Sequence, residues 1–218
     1  MALPQALLFD MDGTVVNTEP FWQEAEKTLF DQLGAQWDPE AGAQMAGMSL
    51  AESVVLMRRV SGLDLDEAQT IEWLITQVTN LVNHHGAPWL PGALEVLQLA
   101  KELDIPTALV TSSYRAFADA VVAQVPTAAF DAVVAGDEVH RAKPHPEAYQ
   151  RAAQKLGTHP QQAFAFEDSP AGALAALRSG AKTFVVPGVH PQQADERAIR
   201  IKSLEVVDEA WLNANCKS

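Results

Sequence analysis

The 218 residues of the chain are 48% hydrophobic and 20% charged, a balance that excludes a disordered or fibrous protein and leaves a globular one. Fifteen basic residues stand against 28 acidic ones, and the formal net charge of −13 disfavours nucleic acid or an anionic membrane surface as a partner. The opening "MALPQALLFD" has neither the basic region of a secretory signal nor a membrane-length apolar run, so we expect a soluble, cytoplasmic protein in which the single Cys216 forms no intramolecular disulfide.

The first predicted element is a buried strand over residues 6–10, which ends in a pair of acidic residues. The stretch "ALLFDMDGTVV", residues 6–16, places Asp10 and Asp12 two positions apart, with Gly13 and Thr14 behind them. A calcium loop of the EF-hand type is disfavoured, because that loop follows a helix and carries its glycine at the sixth position. Gly13 is the fourth residue of its string and follows a strand, so the two charges need another partner.

A block of helices is predicted after the first strand. Apolar residues recur at helical spacing in three runs between residues 19 and 85, and glycine or proline residues interrupt them. The runs are Phe21, Ala25, Leu29 and Leu33; then Val54, Val55 and Met57; then Ile71, Leu74, Ile75, Val78 and Leu81. We predict four helices, which form an inserted domain over residues 18–88.

From Pro91 onward, short β-rich runs alternate with amphipathic stretches. The predicted strands cover residues 105–113, 130–136, 163–168 and 182–188, and the predicted helices lie near 92–103, 115–124, 146–156 and 171–179. Near-continuous apolar strands that alternate with helices are typical of a parallel sheet covered on both faces. The predicted fold class is therefore α/β, with a Rossmann-like core formed by residues 1–17 and 89–218 and a four-helix insertion.

Polar side chains are predicted to collect at one edge of this sheet, because open parallel sheets bind ligands beyond the carboxyl ends of their strands. They are Asp10 and Asp12 after the first strand, Thr111, Ser112 and Ser113 after the second, Glu167 and Asp168 after the fourth, and Lys143 just before a helix. Carboxylates alone would repel one another, whereas Mg²⁺ takes one or two carboxylates and completes its shell with water and phosphate. The pattern therefore predicts a magnesium site that acts on a phosphate group.

Each of these pieces also has an ordinary structural interpretation when it is taken alone. Residues 111–113 could cap the next helix, and Lys143 could be a surface lysine. Asp168 and Ser169, followed by Pro170, have the pattern of a helix start with proline at the first helical position.

Taken in order, four motifs resemble those of the haloacid dehalogenase-like (HAD) hydrolase superfamily: "DMDGT", "VTSS", "KPHPEAY" and "FEDSPAG". The resemblance covers essentially the whole chain, and the helical block after the first motif is similar to the cap of the β-phosphoglucomutase-like subfamily. It implies a mobile cap over residues 18–88, which closes over the site, excludes bulk water and sets substrate choice.

The resemblance also implies a role for each site residue. Asp10 would be the nucleophile that forms a transient aspartyl phosphate, and Asp12 would be the general acid and base. The ligands of Mg²⁺ would be Asp10, the main-chain carbonyl of Asp12, Asp168 and, through a water, Glu167. The groups that bind the phosphoryl oxygens would be Thr111, main-chain N–H groups near Ser112, and Lys143. The implied partner is a small-molecule phosphate ester.

Departures from the mutases of this subfamily favour a phosphatase. Those mutases carry a histidine twelve residues after the nucleophile, where this chain has Trp22, and a cap string with a cation at each end, where "AGMSL" has Ala46 and Leu50. Residues 18–88 hold three basic residues against eleven acidic ones, which disfavours the binding of a second phosphate group. We predict a Mg²⁺-dependent phosphatase of a small phosphorylated metabolite such as a sugar phosphate. The alternatives are a phosphosugar mutase and a non-catalytic interaction protein.

Aromatic and histidine side chains of the helical block leave further alternatives. Phe21 and Trp22 could line the substrate pocket or pack in the core of the first helix of the block. His84 and His85 have no cysteine or clustered partners nearby in the sequence, so we interpret them as a solvated linker pair rather than a transition-metal site.

Overall fold

The computed structural model describes residues 3–45, 48–126, 130–188 and 195–216 of the chain. The chain divides into two compact units, Met1–Asn17 with Pro88–Ser218 and Thr18–Ala87. The first unit combines a sheet with helices, and the described part of the second is helical. None of the helices in the described ranges has the length and apolar character that crossing a membrane requires.

The described part of Thr18–Ala87 contains four helices: α1 (Glu19–Gln32), α2 (Pro39–Met45), α3 (Leu50–Ser61) and α4 (Glu67–His85). Local signals set their ends. The Ser49 hydroxyl accepts a hydrogen bond from the Glu52 N–H at the start of α3, and the Asp66 carboxylate caps α4. Both α1 and α3 pack against α4. The predicted four-helix insertion is confirmed.

The described part of the other unit is built on a sheet of six parallel strands. They are β1 (Ala6–Phe9), β2 (Thr107–Val110), β3 (Ala132–Val134), β4 (Ala163–Glu167), β5 (Lys182–Val185) and β6 (Ile199–Arg200). Their order across the sheet is β3-β2-β1-β4-β5-β6, and every pairing is parallel. The chain passes outward from β1 through β2 and β3, then returns to the other side of β1 with β4. The carboxyl ends of β1, β2 and β4 therefore surround the point where the strand order reverses, which is where open α/β sheets bind ligands.

Helices alternate with these strands, as predicted. They are α5 (Ala93–Glu102), α6 (Arg115–Val122), α7 (Glu147–Lys155), α8 (Pro170–Ser179) and α9 (Glu209–Cys216). All residues of β1, β2 and β4 are buried, which explains why these strands are apolar without alternation. Alanines dominate the core between the strands and α7 and α8, and Tyr149 is the largest side chain among them.

Two elements near the C-terminus have no counterpart among the predicted ones. β6 is two residues long and exposed, and such a short strand leaves no periodic signal. α9 is the second of these elements, and Cys216 is its last residue. Leu212 is fully buried, and the Trp211 ring lies 4.6 Å from the ring of Phe184 on β5. The two apolar residues of one helical turn are too few to show a period.

Candidate active site

Three buried carboxylates meet where β1 and β4 end. The two strands are neighbours with Phe9 opposite Phe166, so Asp10 and Glu167 follow side by side. Carboxylate oxygens of Asp10, Glu167 and Asp168 all lie within 4.8 Å of one another. Within the described ranges, this is the one group of three or more His, Cys, Asp or Glu side chains that is arranged to hold a metal ion. We call these three residues the acidic cluster.

Lys143 lies inside the acidic cluster. Its Nζ donates to Asp10 Oδ1 at 2.6 Å, to Glu167 Oε1 at 2.6 Å and to the Val110 carbonyl oxygen at 2.9 Å. The side chain is 6% exposed, so the interpretation of a surface lysine is wrong. Burial works to lower the pKa of Lys143, but the charges of Asp10 and Glu167 outweigh it and raise that pKa above its ordinary value. Lys143 therefore remains a cation that joins the ends of β1, β2 and β4.

The acidic cluster has more carboxylates than the one ammonium group can neutralise. Burial, reinforced by the Glu167 charge, raises the pKa of Asp10 well above its usual range, although Lys143 lowers it in part. Burial and the same glutamate raise the pKa of Asp168 to about 7. A cation among these oxygens would oppose both effects, since it favours the ionised forms. The donor set of buried carboxylate oxygens therefore suits a hard divalent metal.

Glu167 has both carboxylate oxygens bound by protein donors. Oε1 accepts from Lys143 Nζ and, at 2.7 Å, from the hydroxyl of Tyr149. Oε2 accepts from the main-chain N–H groups of Asp168 at 3.2 Å and Ser169 at 3.3 Å, and from the Ser169 hydroxyl at 3.1 Å. Ser169 also caps α8 and Pro170 begins it, so the helix start predicted there is real and coexists with the cluster. Tyr149 had no predicted role, although it is the last residue of "KPHPEAY".

The Asp12 carboxylate accepts a hydrogen bond from the loop that follows β2. Its Oδ2 accepts a hydrogen bond from the Ser113 hydroxyl at 2.8 Å, and the Ser113 N–H donates to Thr111 Oγ1 at 2.9 Å. The loop after β2 is thereby joined to the loop after β1.

Ser112 lies between Thr111 and Ser113 and is exposed. α6 has Tyr114 as its N-cap residue, so the interpretation of residues 111–113 as a helix cap is wrong. No role was predicted for Ser113. The feature of the sequence that could have pointed to it is its position beside two other hydroxyl residues at the end of a strand.

Glycines leave the space that the carboxylates occupy. A Cβ at Gly13, whose φ is 85°, would lie 2.1 Å from Asp168 Oδ2, and one at Gly188 would lie 2.4 Å from the same atom. A Cβ at Gly172 would lie 1.8 Å from Glu167 Oε1 and 2.2 Å from Oε2. Because Cβ atoms do not approach oxygens so closely, these positions exclude any side chain. The glycine of "DMDGT" and that of "FEDSPAG" are thus required by packing around the acidic cluster.

The other residues singled out from the sequence belong to the helical unit. His84 and His85 are exposed, and they form the last turn of α4 rather than a linker. Phe21 and Trp22 are half-buried on α1. Leu50 is the first residue of α3, and Ala46 lies outside the described residues.

Comparison with known proteins gives a family for the chain. A family model described as a hydrolase, haloacid dehalogenase-like hydrolase, matches residues 4–180. Validoxylamine A 7'-phosphate phosphatase of Streptomyces hygroscopicus subsp. limoneus is 30% identical over 203 residues, which cover 92% of this chain and 94% of that protein. Fructose-1-phosphate phosphatase of Escherichia coli K12 is 30% identical over 177 residues, covering 80% of this chain and 92% of that protein.

A solved structure agrees with the fold over nearly the full length. The crystal structure of CbbY from Rhodobacter sphaeroides in complex with phosphate superposes with a TM-score of 0.85 at 26% sequence identity. The match covers 97% of this chain and 100% of the CbbY chain. The similarity therefore includes both the sheet-containing unit and the helical insertion.

Proposed function

The chain belongs to the haloacid dehalogenase-like hydrolase family and is a phosphatase, and on this premise we propose that it removes phosphate from a small phosphorylated sugar through an aspartyl phosphate on Asp10, with Mg²⁺ as its cofactor. The observation that carries this proposal is the position of Asp10. Its carboxylate lies at the end of β1, 2.6 Å from the Lys143 ammonium and inside the acidic cluster. A carboxylate held beside both a cation and a metal-ligating group is placed to attack an anionic phosphate ester.

The residues that would hold the metal are Asp10, Asp168, the main-chain carbonyl of Asp12 and, through a water, Glu167. The donors are all oxygen atoms, and three buried carboxylates face one lysine, so the set fits a divalent cation. Hydrogen bonds from protein donors to both oxygens of Glu167 support a contact through water for this residue. When bound, the ion supplies positive charge that offsets the repulsion between Asp10 and the substrate phosphate.

In the first step, a carboxylate oxygen of Asp10 forms a bond to phosphorus while the bond from phosphorus to the sugar oxygen breaks. Lys143 and Thr111, with main-chain N–H groups near Ser112, would bind the non-bridging oxygens, where negative charge must be stabilised. Lys143 supports this role because it remains charged and is held by the ends of three strands. The product of the step is the aspartyl phosphate.

Asp12 would donate a proton to the departing sugar oxygen. In the second step it would remove a proton from a water molecule, whose oxygen attacks phosphorus and breaks the bond to Asp10. The hydrogen bond from Ser113 supports this role, since this residue lies outside the acidic cluster and its hydroxyl donates to Asp12 Oδ2, which orients that carboxylate. Inorganic phosphate leaves, and Asp10 is restored.

A sugar phosphate is the proposed substrate class because of the names of two relatives. One is named as a phosphatase of validoxylamine A 7'-phosphate and the other as a phosphatase of fructose 1-phosphate. We propose that residues 18–88 act as the cap of this hydrolase and select among such substrates. Three basic residues against eleven acidic ones in this segment support a substrate with one phosphate group rather than two. We also propose that the protein works in the cytoplasm.

The test is phosphate release by the purified chain from hexose phosphates, hexitol phosphates, nucleotides and phosphoglycolate, with Mg²⁺ and with a chelator. We expect the sugar phosphates to be hydrolysed fastest and only with Mg²⁺. Asp10→Asn should reduce release by at least about 10³-fold, because it removes the nucleophile. Asp64→Asn is the matched control, since Asp64 is an exposed aspartate of the helical unit.

Other outcomes would contradict the proposal in distinct ways. Conversion of a hexose 1-phosphate into its 6-phosphate, without free sugar, would identify a mutase. Binding of Mg²⁺ without turnover of any ester would identify a non-catalytic protein. A crystal grown with beryllium fluoride and Mg²⁺ should carry the fluoride adduct on Asp10, and an adduct on any other residue would overturn the assignment of the nucleophile.

A further inference from the structure

We propose that Tyr149 is a positioning residue of this site: its hydroxyl holds the Glu167 carboxylate, and through it Lys143 and the main chain of Asp168. Tyr149 lies on α7, and its side chain is fully buried. Its hydroxyl donates to Glu167 Oε1 at 2.7 Å, the same oxygen that accepts from Lys143 Nζ at 2.6 Å. The lysine and the tyrosine therefore approach one carboxylate oxygen together.

The contacts of Glu167 connect this hydroxyl to the reacting groups. Oε2 accepts from the main-chain N–H of Asp168, and Oε1 accepts from the lysine that also binds Asp10 Oδ1. A rotation of the carboxylate would break both sets of hydrogen bonds at once. Both Glu167 oxygens occupy the space that a Cβ at Gly172 would take, so the carboxylate fits here only beside a glycine. Tyr149 thus restrains a side chain that contacts both Lys143 and the main chain of Asp168.

Charge explains why a phenol suits this position. A buried carboxylate needs donors, but another lysine would neutralise the cluster and weaken its attraction for a metal cation. A phenol donates a hydrogen bond and carries no charge. The Tyr149 hydroxyl donates to Glu167 Oε1 as an uncharged group. Tyr149 therefore holds Glu167 while the excess negative charge of the site is preserved.

The aromatic ring makes a second, separable contact. Lys143 Nζ lies 5.2 Å from the centre of the Tyr149 ring, within the range of a cation–π interaction. Tyr149→Phe keeps this ring and removes only the hydroxyl, whereas Tyr149→Leu removes both. The two variants distinguish the hydrogen bond to Glu167 from packing of the ring against Lys143.

This inference rests on the proposed function, so its experiment includes a measurement that does not depend on turnover. Mg²⁺ alone is titrated calorimetrically into the wild-type chain and into Tyr149→Phe, and kcat and KM are then measured with the best sugar phosphate. Loss of the hydroxyl should weaken Mg²⁺ binding about tenfold, as for other groups that orient metal ligands, and lower kcat with little change in KM. Tyr149→Leu should lose at least as much.

Thr183→Val is the matched control, because it also deletes a buried hydroxyl. This hydroxyl donates to the Ala181 carbonyl oxygen. Thr183 lies on β5, which is separated from β1 by β4. This substitution should lower the melting temperature and leave Mg²⁺ affinity and kcat unchanged. The proposal is overturned if Tyr149→Phe binds Mg²⁺ and turns over like the wild type, or if Thr183→Val loses as much affinity. An effect confined to Tyr149→Leu would assign the role to the ring and also overturn it. A wild-type chain that binds Mg²⁺ but hydrolyses nothing would contradict the proposed function and leave the affinity comparison valid.

Discussion

At the scale of single residues, the site depends on positions where a side chain is missing as much as on those where one is present. Gly172 is the clearest case, because a Cβ there would lie 1.8 Å from Glu167 Oε1. The carboxylate cannot move away, since donors from four residues hold it and it is fully buried. An alanine at this position must therefore displace Glu167 or the first turn of α8.

We predict that Gly172→Ala lowers phosphate release by at least about 100-fold and the free energy of unfolding by about 2 kcal/mol, as for other overpacked sites. Activity per folded molecule and urea unfolding are the measurements. Gly62→Ala is the control, because Gly62 has a φ of 68° and open space around it. It should cost about 1 kcal/mol from backbone strain and leave turnover unchanged. Wild-type activity in Gly172→Ala would show that Glu167 tolerates displacement.

At the scale of elements, α1 carries a buried carboxyl group, and one of its oxygens has no hydrogen-bond partner among the described residues. Glu26 is 6% exposed, and its Oε2 has no hydrogen-bond partner within the described ranges. Burial, with a smaller effect of the Glu19 charge, raises the pKa of Glu26 from 4.5 to about 8. The folded chain therefore keeps this proton up to about pH 8, whereas the unfolded chain loses it near pH 4.5.

We predict that Glu26 makes the chain less stable as the pH rises from about 4.5 to 8. In this window the folded state binds more protons than the unfolded state, so the free energy of unfolding falls, by about 4 kcal/mol at most. Glu26→Gln should abolish this part of the pH dependence and make the variant more stable than the wild type at pH 8. Urea unfolding at pH 5 and pH 8 measures it. Glu24→Gln, at an exposed position of the same helix, should retain the wild-type slope, and an unchanged slope in Glu26→Gln would contradict the prediction.

At the scale of the whole molecule, the acidic cluster is a source of repulsion that metal binding relieves. Asp10, Glu167 and Asp168 lie at the carboxyl ends of two neighbouring strands, so their repulsion opposes the pairing of β1 with β4. A ligand that binds only the folded state stabilises it by mass action, by about 2.7 kcal/mol at a hundred times its dissociation constant.

We predict that saturating Mg²⁺ raises the melting temperature by about 5 °C or more relative to a chelator-treated sample. Asp168→Asn should remove most of this difference, because it deletes a proposed ligand. Scanning calorimetry with Mg²⁺, and with K⁺ at equal ionic strength, separates binding from general screening. A rise that persists in Asp168→Asn would place the stabilising ion elsewhere.

The fold was largely predictable because its signals are local. Continuous apolar runs predicted β1 to β5 at their observed places, although each predicted strand extended into the following loop. Helical spacing and punctuating glycines predicted the four helices of the insertion. α9 and β6 were missed, since one buried leucine and one tryptophan do not make a period and a two-residue strand has none.

The sequence by itself determined the fold class, the family and which side chains stand at the strand ends, because periodicity and motifs are properties of short segments. Only the tertiary structure decided how those side chains pair. Lys143 and Asp10 are 133 positions apart, and Ser113 and Asp12 are 101 apart, so their hydrogen bonds depend on the order of the strands. That order also accounts for the burial of Lys143, for the hydrogen bond from the Tyr149 hydroxyl to Glu167, and for the glycines next to the carboxylates. Packing across neighbouring strands, rather than local propensity, creates the site.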